Sequence, residues 1–250
     1  MHYPQFCQKA SGEFCHPTAT VFVIALLTTL FCLLSIQWLD LPLTLWMAQQ
    51  KENLPVLQSF FKFVTMFGKG VALIAPALAM VLVLWWLDRR AHQPLAKGIN
   101  KFLSEKKLLD EKRRKLWLRW SVLFLAAMVV SGILVNVLKF LIGRPRPELW
   151  FSQGSYGFDP LALHHAWHSL PSGHSTTAGA LAVFVWQAGG IWRYAALLYA
   201  LLIAASRLVL LQHYLADVVA GLVFGALVSW LLLRRYRPAP SLSPNIPSKS

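Results

Sequence analysis

Acidic residues are scarce in this chain, with ten Asp and Glu in 250 residues against 24 Lys and Arg. Charged residues of both signs make up 14% of the total, where a soluble domain carries about 25%. That shortage excludes an ordinary water-exposed surface. Cysteine is rare as well. Cys7 and Cys15 lie in the N-terminal tail at a spacing that fits no zinc pattern, and no second pair follows. They read as free thiols, and Cys32, inside an apolar run, as a small packing residue. No internal repeat is visible, which counts against a transporter built from repeats around a midplane anion site.

What the chain has instead is apolar length. Hydrophobic residues make up 56% and the mean hydropathy is +0.51. A membrane crossing needs about 20 largely apolar residues, and six segments qualify: 19–38, 66–87, 119–140, 173–189, 194–211 and 214–233. The expected architecture is all-α, a polytopic membrane protein of six transmembrane helices forming a single domain over 1–250. The first run is too long for a signal-peptide core and no cleavage pattern follows it, so it reads as a retained span.

The net charge of +14 does not point to nucleic acid, because the positive residues cluster beside apolar runs, as topology signals do. Segment 88–119 alone holds eleven Lys and Arg. With Lys9, Arg193, Arg234, Arg235, Arg237 and Lys249, one face collects seventeen, against five on the other. Both termini are therefore expected inside. Trp38, Trp85, Trp86, Trp117, Trp120, Trp192 and Trp230 flank the spans as interfacial anchors. The basic stretch 88–118 is expected as a cytoplasmic loop. Its part 96–116 reads equally well as an interfacial helix on the anionic leaflet. The Pro- and Ser-rich residues 237–250 read as a disordered tail.

Three polar strings interrupt the apolar background, and all fall on the outer face. An ionisable residue at membrane depth costs roughly 2.5–3.5 kcal/mol on insertion scales, so each is a functional candidate. His213 and Asp217 are four apart and share a helical face. Asp217 is the lone carboxylate after Asp159. A carboxylate on one imidazole nitrogen fixes the tautomer and leaves the other nitrogen free to attack; the plainer alternative is a helix–helix hydrogen bond. Pro171-Ser172-Gly173-His174 marks a break followed by a helix start, with Ser172 as cap, Gly173 admitting an anion to the helix N-terminus and His174 at its mouth. Lys139 ends a span and alone reads as a snorkelling side chain. Arg144 and Arg146 each precede a proline, which holds them on stiff extended backbone suited to gripping phosphate. Arg207 sits among leucines and needs an anion to explain it.

Together these strings resemble the signature of the type-2 phosphatidic acid phosphatase superfamily: Lys139-x6-Arg146-Pro147, then Pro171-Ser172-Gly173-His174, then Ser206-Arg207-x5-His213-x3-Asp217, every position matched. The family includes membrane lipid phosphatases and soluble vanadium haloperoxidases, and the spans favour the former. The resemblance implies that Lys139, Arg146 and Arg207 hold phosphate oxygens, with Ser172 and Gly173 adding donors. It implies that His213 attacks phosphorus to give a phosphohistidine, that Asp217 orients it, and that His174 protonates the leaving group. No cofactor, metal, nucleic acid or obligate protein partner is expected. The expected partners are membrane lipids and a lipid phosphate substrate: undecaprenyl pyrophosphate, phosphatidylglycerol phosphate, phosphatidic acid or a lipid A phosphate. Short loops and compact size point to a bacterial inner membrane, with the site toward the periplasm. Transfer of the phosphate to another lipid headgroup is the alternative activity, and anion transport a more distant one. His164, His165 and His168 carry either a metal or, preferably, the lining of the headgroup entrance. Trp150, Phe151, Tyr156, Phe158 and Trp167 in the same loop are expected to form a lid at headgroup level.

Overall fold

The computed structural model describes residues 17–51, 53–91 and 104–236. Cys7, Lys9, Cys15, the stretch 92–103 and the tail 237–250 lie outside the described residues. Within them the chain is helical: α1 (Pro17–Trp38), α2 (Asp40–Gln50), α3 (Pro55–Met66), α4 (Gly70–Ala91), α5 (Ser104–Ile142), α6 (Pro147–Gln153), α7 (Gly173–Trp186), α8 (Ile191–Val209) and α9 (Leu215–Tyr236). Five segments are long and apolar enough to cross a membrane: Thr18–Trp38, Pro55–Arg90, Glu111–Ile142, Ile191–Val209 and Leu215–Tyr236. Their outward leucines, valines and tryptophans remain exposed, as surfaces facing lipid require.

Two expectations need correction. The fourth span, expected over 173–189, is the 14-residue helix α7, about 21 Å long at 1.5 Å per residue and short of the roughly 30 Å hydrocarbon core. Segment 39–69, where the expected spans leave an interval, folds into α2 and α3, the latter started by Pro55 in its first turn. The basic run from residue 104 is neither a loop nor a separate interfacial helix. It is the first part of α5, which continues for 39 residues into the span. Glycine and proline are absent from 104–131, so nothing breaks the helix, and Arg114 pairs with Asp88 of α4 at 2.9 Å.

Buried residues on the core helices recur at intervals of three and four, so each helix turns one stripe inward. On α5 the stripe is Ala127, Ser131, Val135 and Lys139; on α8 it is Ala196, Ala200, Ile203 and Arg207; on α9 it is Asp217, Gly221, Gly225, Ser229 and Leu233. Each stripe thus carries an ionisable residue at one end, and those ends meet. The other ends carry the basic residues. Arg89 lies over Trp85, Arg90 over Trp86 and Arg234 over Trp230, at 4.3, 3.8 and 5.4 Å to the ring centroids. Along α5 the 24 residues from Lys115 to Lys139 separate the two ends by about 36 Å.

Helices α7 and α9 pack directly against each other, and glycine makes it possible. A Cβ on Gly225 would collide with the Thr176 carbonyl, and one on Gly179 with the Leu222 carbonyl. Both obstacles are backbone and cannot swing aside. Gly225→Val is expected to push the helices apart and to destabilise the protein by about 1–3 kcal/mol. Thermal unfolding in detergent, compared with the unaltered protein, checks this, and an unchanged midpoint would contradict the packing.

Candidate active site

Backbone pairing builds the frame. Helix α5 ends at Ile142, and Gly143 takes φ +59° while its N–H donates to Lys139 O at 3.0 Å. A Cβ there would strike the Asp159 carbonyl, so glycine is required on both counts. The chain then runs extended, as the Arg-Pro-Arg-Pro sequence dictates. Arg146 N donates to Ala166 O at 2.8 Å and Ser169 N to Arg144 O at 3.0 Å, which lays the string beside the segment leading into α7. Ser172 caps α7, accepting from Ser175 N at 3.5 Å, and its own N–H donates to Asp217 O at 2.8 Å. The second string is thereby pinned to the third.

His213 and Asp217 are both buried. His213 Nδ1 lies 3.6 Å from Asp217 Oδ2, and Ser169 bridges the two: its Oγ donates to Asp217 Oδ2 at 2.5 Å and lies 3.3 Å from His213 Nδ1. Tyr214 N also donates to Oδ2, at 2.9 Å. With Nδ1 so engaged, Nε2 is the nitrogen left to meet a ligand.

Three cations gather beside this pair. Lys139, Arg146 and Arg207 lie within electrostatic range of one another. Lys139 Nζ donates to His168 O at 2.9 Å, Arg207 to Thr65 Oγ1 at 2.7 Å. Among the described residues, the Nε atoms of Arg146 and Arg207 are buried without a hydrogen-bond partner. Buried donors are nearly always satisfied, so these two mark a place for an acceptor. Burial pulls the pKa of Arg146 below the ordinary arginine value, as expected where a charge lacks its counter-ion. Gly173 faces open space, with nothing within 4 Å of where a Cβ would be, and the first N–H groups of α7 have no acceptor inside the helix. His174 follows in the same turn and packs against Gly68 in the α3–α4 turn. All eight candidates from the sequence, Lys139, Arg146, Ser172, Gly173, His174, Arg207, His213 and Asp217, come together at one end of the bundle.

The structure adds residues that sequence reasoning missed. Arg144 does not share the role foreseen for Arg146. It is 1% exposed and forks between two carboxylates, NH1 to Asp217 Oδ1 and NH2 to Asp40 Oδ2, both at 2.6 Å. Burial opposes its charge, but Asp217 and Asp40 outweigh burial and hold its pKa above the ordinary arginine value. Asp40 had a signal, since it is an acid directly after an apolar run. Ser169 had none, because a serine in a loop is unremarkable until its neighbours are known.

The histidines of the loop before α7 are occupied elsewhere. His164 accepts from Ala166 N, His168 Nε2 lies 2.8 Å from Ala162 O, and His165 Nε2 lies 3.3 Å from Arg146. No group of three His, Cys, Asp or Glu among the described residues is close enough to hold a metal ion. The Arg146 guanidinium beside it holds the pKa of His165 below the ordinary histidine value. The expected aromatic lid is divided. Phe151 and Phe158 are exposed, but Tyr156 turns inward and donates to Ile36 O at 2.6 Å, with Trp150 edge-on against it.

A helical membrane protein with a histidine–aspartate pair, a capped helix N-terminus and three convergent cations at one end defines a class of oxyanion-handling membrane proteins. The family model of the PAP2 superfamily matches residues 120–240 of the chain. It is 40% identical over 129 residues to lipid A 1-phosphatases of Rhizobium johnstonii and Rhizobium etli, covering 50% of this chain and 53% and 56% of theirs. The chain thus spans about half the length of the curated relatives it matches. Its fold resembles that of a transmembrane PAP2-type phosphatidylglycerolphosphate phosphatase from Bacillus subtilis, with TM-score 0.61, 20% identity, and 89% and 96% of the two chains covered. It also resembles LpxE of Aquifex aeolicus, with TM-score 0.51, 22% identity, and 78% and 95% covered.

Proposed function

We propose that the protein is a lipid phosphate phosphatase that works through a phosphohistidine. The observation that carries this reading is the pair of buried, unpartnered Nε atoms on Arg146 and Arg207, in a site where His213 is already oriented by Asp217 and Ser169. In this mechanism the phosphate oxygens sit among Lys139, Arg146, Arg207, the Ser172 hydroxyl and the N–H groups opening α7. His213 Nε2 attacks phosphorus, the bond from phosphorus to the lipid oxygen breaks, and His174 gives that oxygen its proton. Water then attacks phosphorus, His174 takes the proton back, and the phosphorus–nitrogen bond breaks. Asp217 stabilises the ring as it acquires positive charge. The three cations neutralise charge that develops on the transferring group.

Lipid A 1-phosphate is the first substrate to test, because the relatives at 40% identity carry that activity in their names. The membrane proposed is a bacterial inner membrane with the site facing the periplasm, supported by the Lys and Arg at the opposite end of the helices. The test is phosphate release by purified protein in detergent with EDTA, across lipid A, phosphatidylglycerol phosphate, phosphatidic acid and undecaprenyl pyrophosphate. Release from one lipid supports hydrolysis and names the substrate. Release only when an acceptor lipid is added would replace hydrolysis by transfer, and no turnover in either arm would overturn the reading. Arg207→Ala removes one donor from the transition state and is expected to lower kcat by about 10²–10³, leaving a measurable trace. An unchanged kcat in that variant would take Arg207 out of the site.

A further inference from the structure

Asp40 lies outside the residues that match the family model, on α2. It is nonetheless fully buried against the site. Its Oδ1 accepts from Ser35 Oγ at 2.7 Å and from Ala216 N at 3.0 Å, the residue directly before Asp217, and its Oδ2 takes Arg144 NH2 at 2.6 Å. Arg144 in turn holds Asp217 Oδ1, while Oδ2 faces His213 and Ser169.

The charge count gives this arrangement a meaning. Arg144 carries one positive charge and the two aspartates carry two negative ones, so the cluster is one negative charge in surplus. The residue beside that surplus is His213, whose ring must become positive as it bonds to phosphorus. Without Asp40, Arg144 and Asp217 would form a neutral pair, and the imidazole would lose most of the field that stabilises it. We propose that Asp40 is a positioning residue for the reaction: it takes up the charge of Arg144, so that Arg144 can fix Asp217 in place without consuming the negative charge His213 needs. The inference rests on the phosphatase reading above.

The test uses the full chain in detergent. Asp40→Asn keeps the shape and the acceptor oxygen but removes the charge. Its kcat per folded molecule is expected to fall by about 10–100-fold, the size of loss that follows removal of an outer partner of a ligating residue at a metal site, with KM nearly unchanged. A second readout separates charge from structure. The groups facing His213 are Asp217 from α9, Lys139 from α5, Arg207 from α8 and Ser169 from the preceding loop. A nearby negative charge favours the protonated ring, so losing it lowers the pKa of His213. The acid limb of the kcat/KM profile is therefore expected to move down by roughly half a unit to one unit.

A second variant guards against failure to fold. Asp40→Asn combined with Arg144→Met removes one charge of each sign and leaves the surplus intact. Replacing a buried pair as a unit is tolerated better than breaking it, so the acid limb should stay at its wild-type position and kcat should exceed that of Asp40→Asn. A single variant with unchanged kcat and acid limb, whatever its thermal stability, overturns the inference. So does a double variant whose acid limb moves down. Turnover by the unaltered protein in the same assay separates these results from a failure of the phosphatase reading itself, which would take the inference with it.

Discussion

His213→Ala is expected to abolish turnover, with a loss on the order of 10⁴–10⁶ in kcat, the range for removing a nucleophile that works as one unit with its partners. The structure also predicts that the variant folds. His213 Nδ1 contributes contacts of 3.3 Å to Ser169 and 3.6 Å to Asp217, but Asp217 keeps its shorter bonds to Ser169, Tyr214 N and Arg144. No buried charge is stranded, and the main penalty is the volume of the missing ring. Phosphate release per folded molecule, measured beside the unaltered protein, decides the matter. Comparable activity in His213→Ala would remove the phosphohistidine mechanism and require another nucleophile to attack phosphorus.

Arg144→Met is expected to destabilise the protein by about 3–5 kcal/mol, the range for breaking a buried ion pair from one side. The substitution strands Asp40 and Asp217, both fully buried, in a region with little water to solvate them. Arg146→Met supplies the contrast. Among the described residues that guanidinium has no carboxylate at salt-bridge distance, and its side chain contacts His165 at 3.3 Å. Its loss should leave the unfolding midpoint nearly unchanged while lowering kcat by about 10²–10³. Two arginines separated by one proline thus predict opposite phenotypes, one in stability and one in rate. Equal effects on the midpoint would contradict the assignment of the fork to Arg144.

The two arginines also show where sequence reasoning stops. Both precede a proline, both lie on extended backbone, and both read as phosphate ligands. Only the approach of α2 and α9 reveals that one of them faces carboxylates. Likewise, Lys139 read alone as a snorkelling residue at a span end. The structure turns it inward because it continues the buried stripe of Ala127, Ser131 and Val135. The extent of α5 was misjudged for a different reason. Charge suggested a loop, whereas the absence of any helix breaker from 104 to 131 carries the helix on regardless of charge.

The sequence by itself determined the class of protein, the apolar helices, the clustering of Lys and Arg at one side and the eight residues that converge. Each of these is written locally, in run length, in i, i+4 spacing or in a proline after an arginine. The tertiary structure alone decided the charge balance around His213. That balance depends on Asp40, Arg144, Ser169 and Asp217 meeting across separations of up to 177 residues, and no local pattern records which buried acid will meet which buried base.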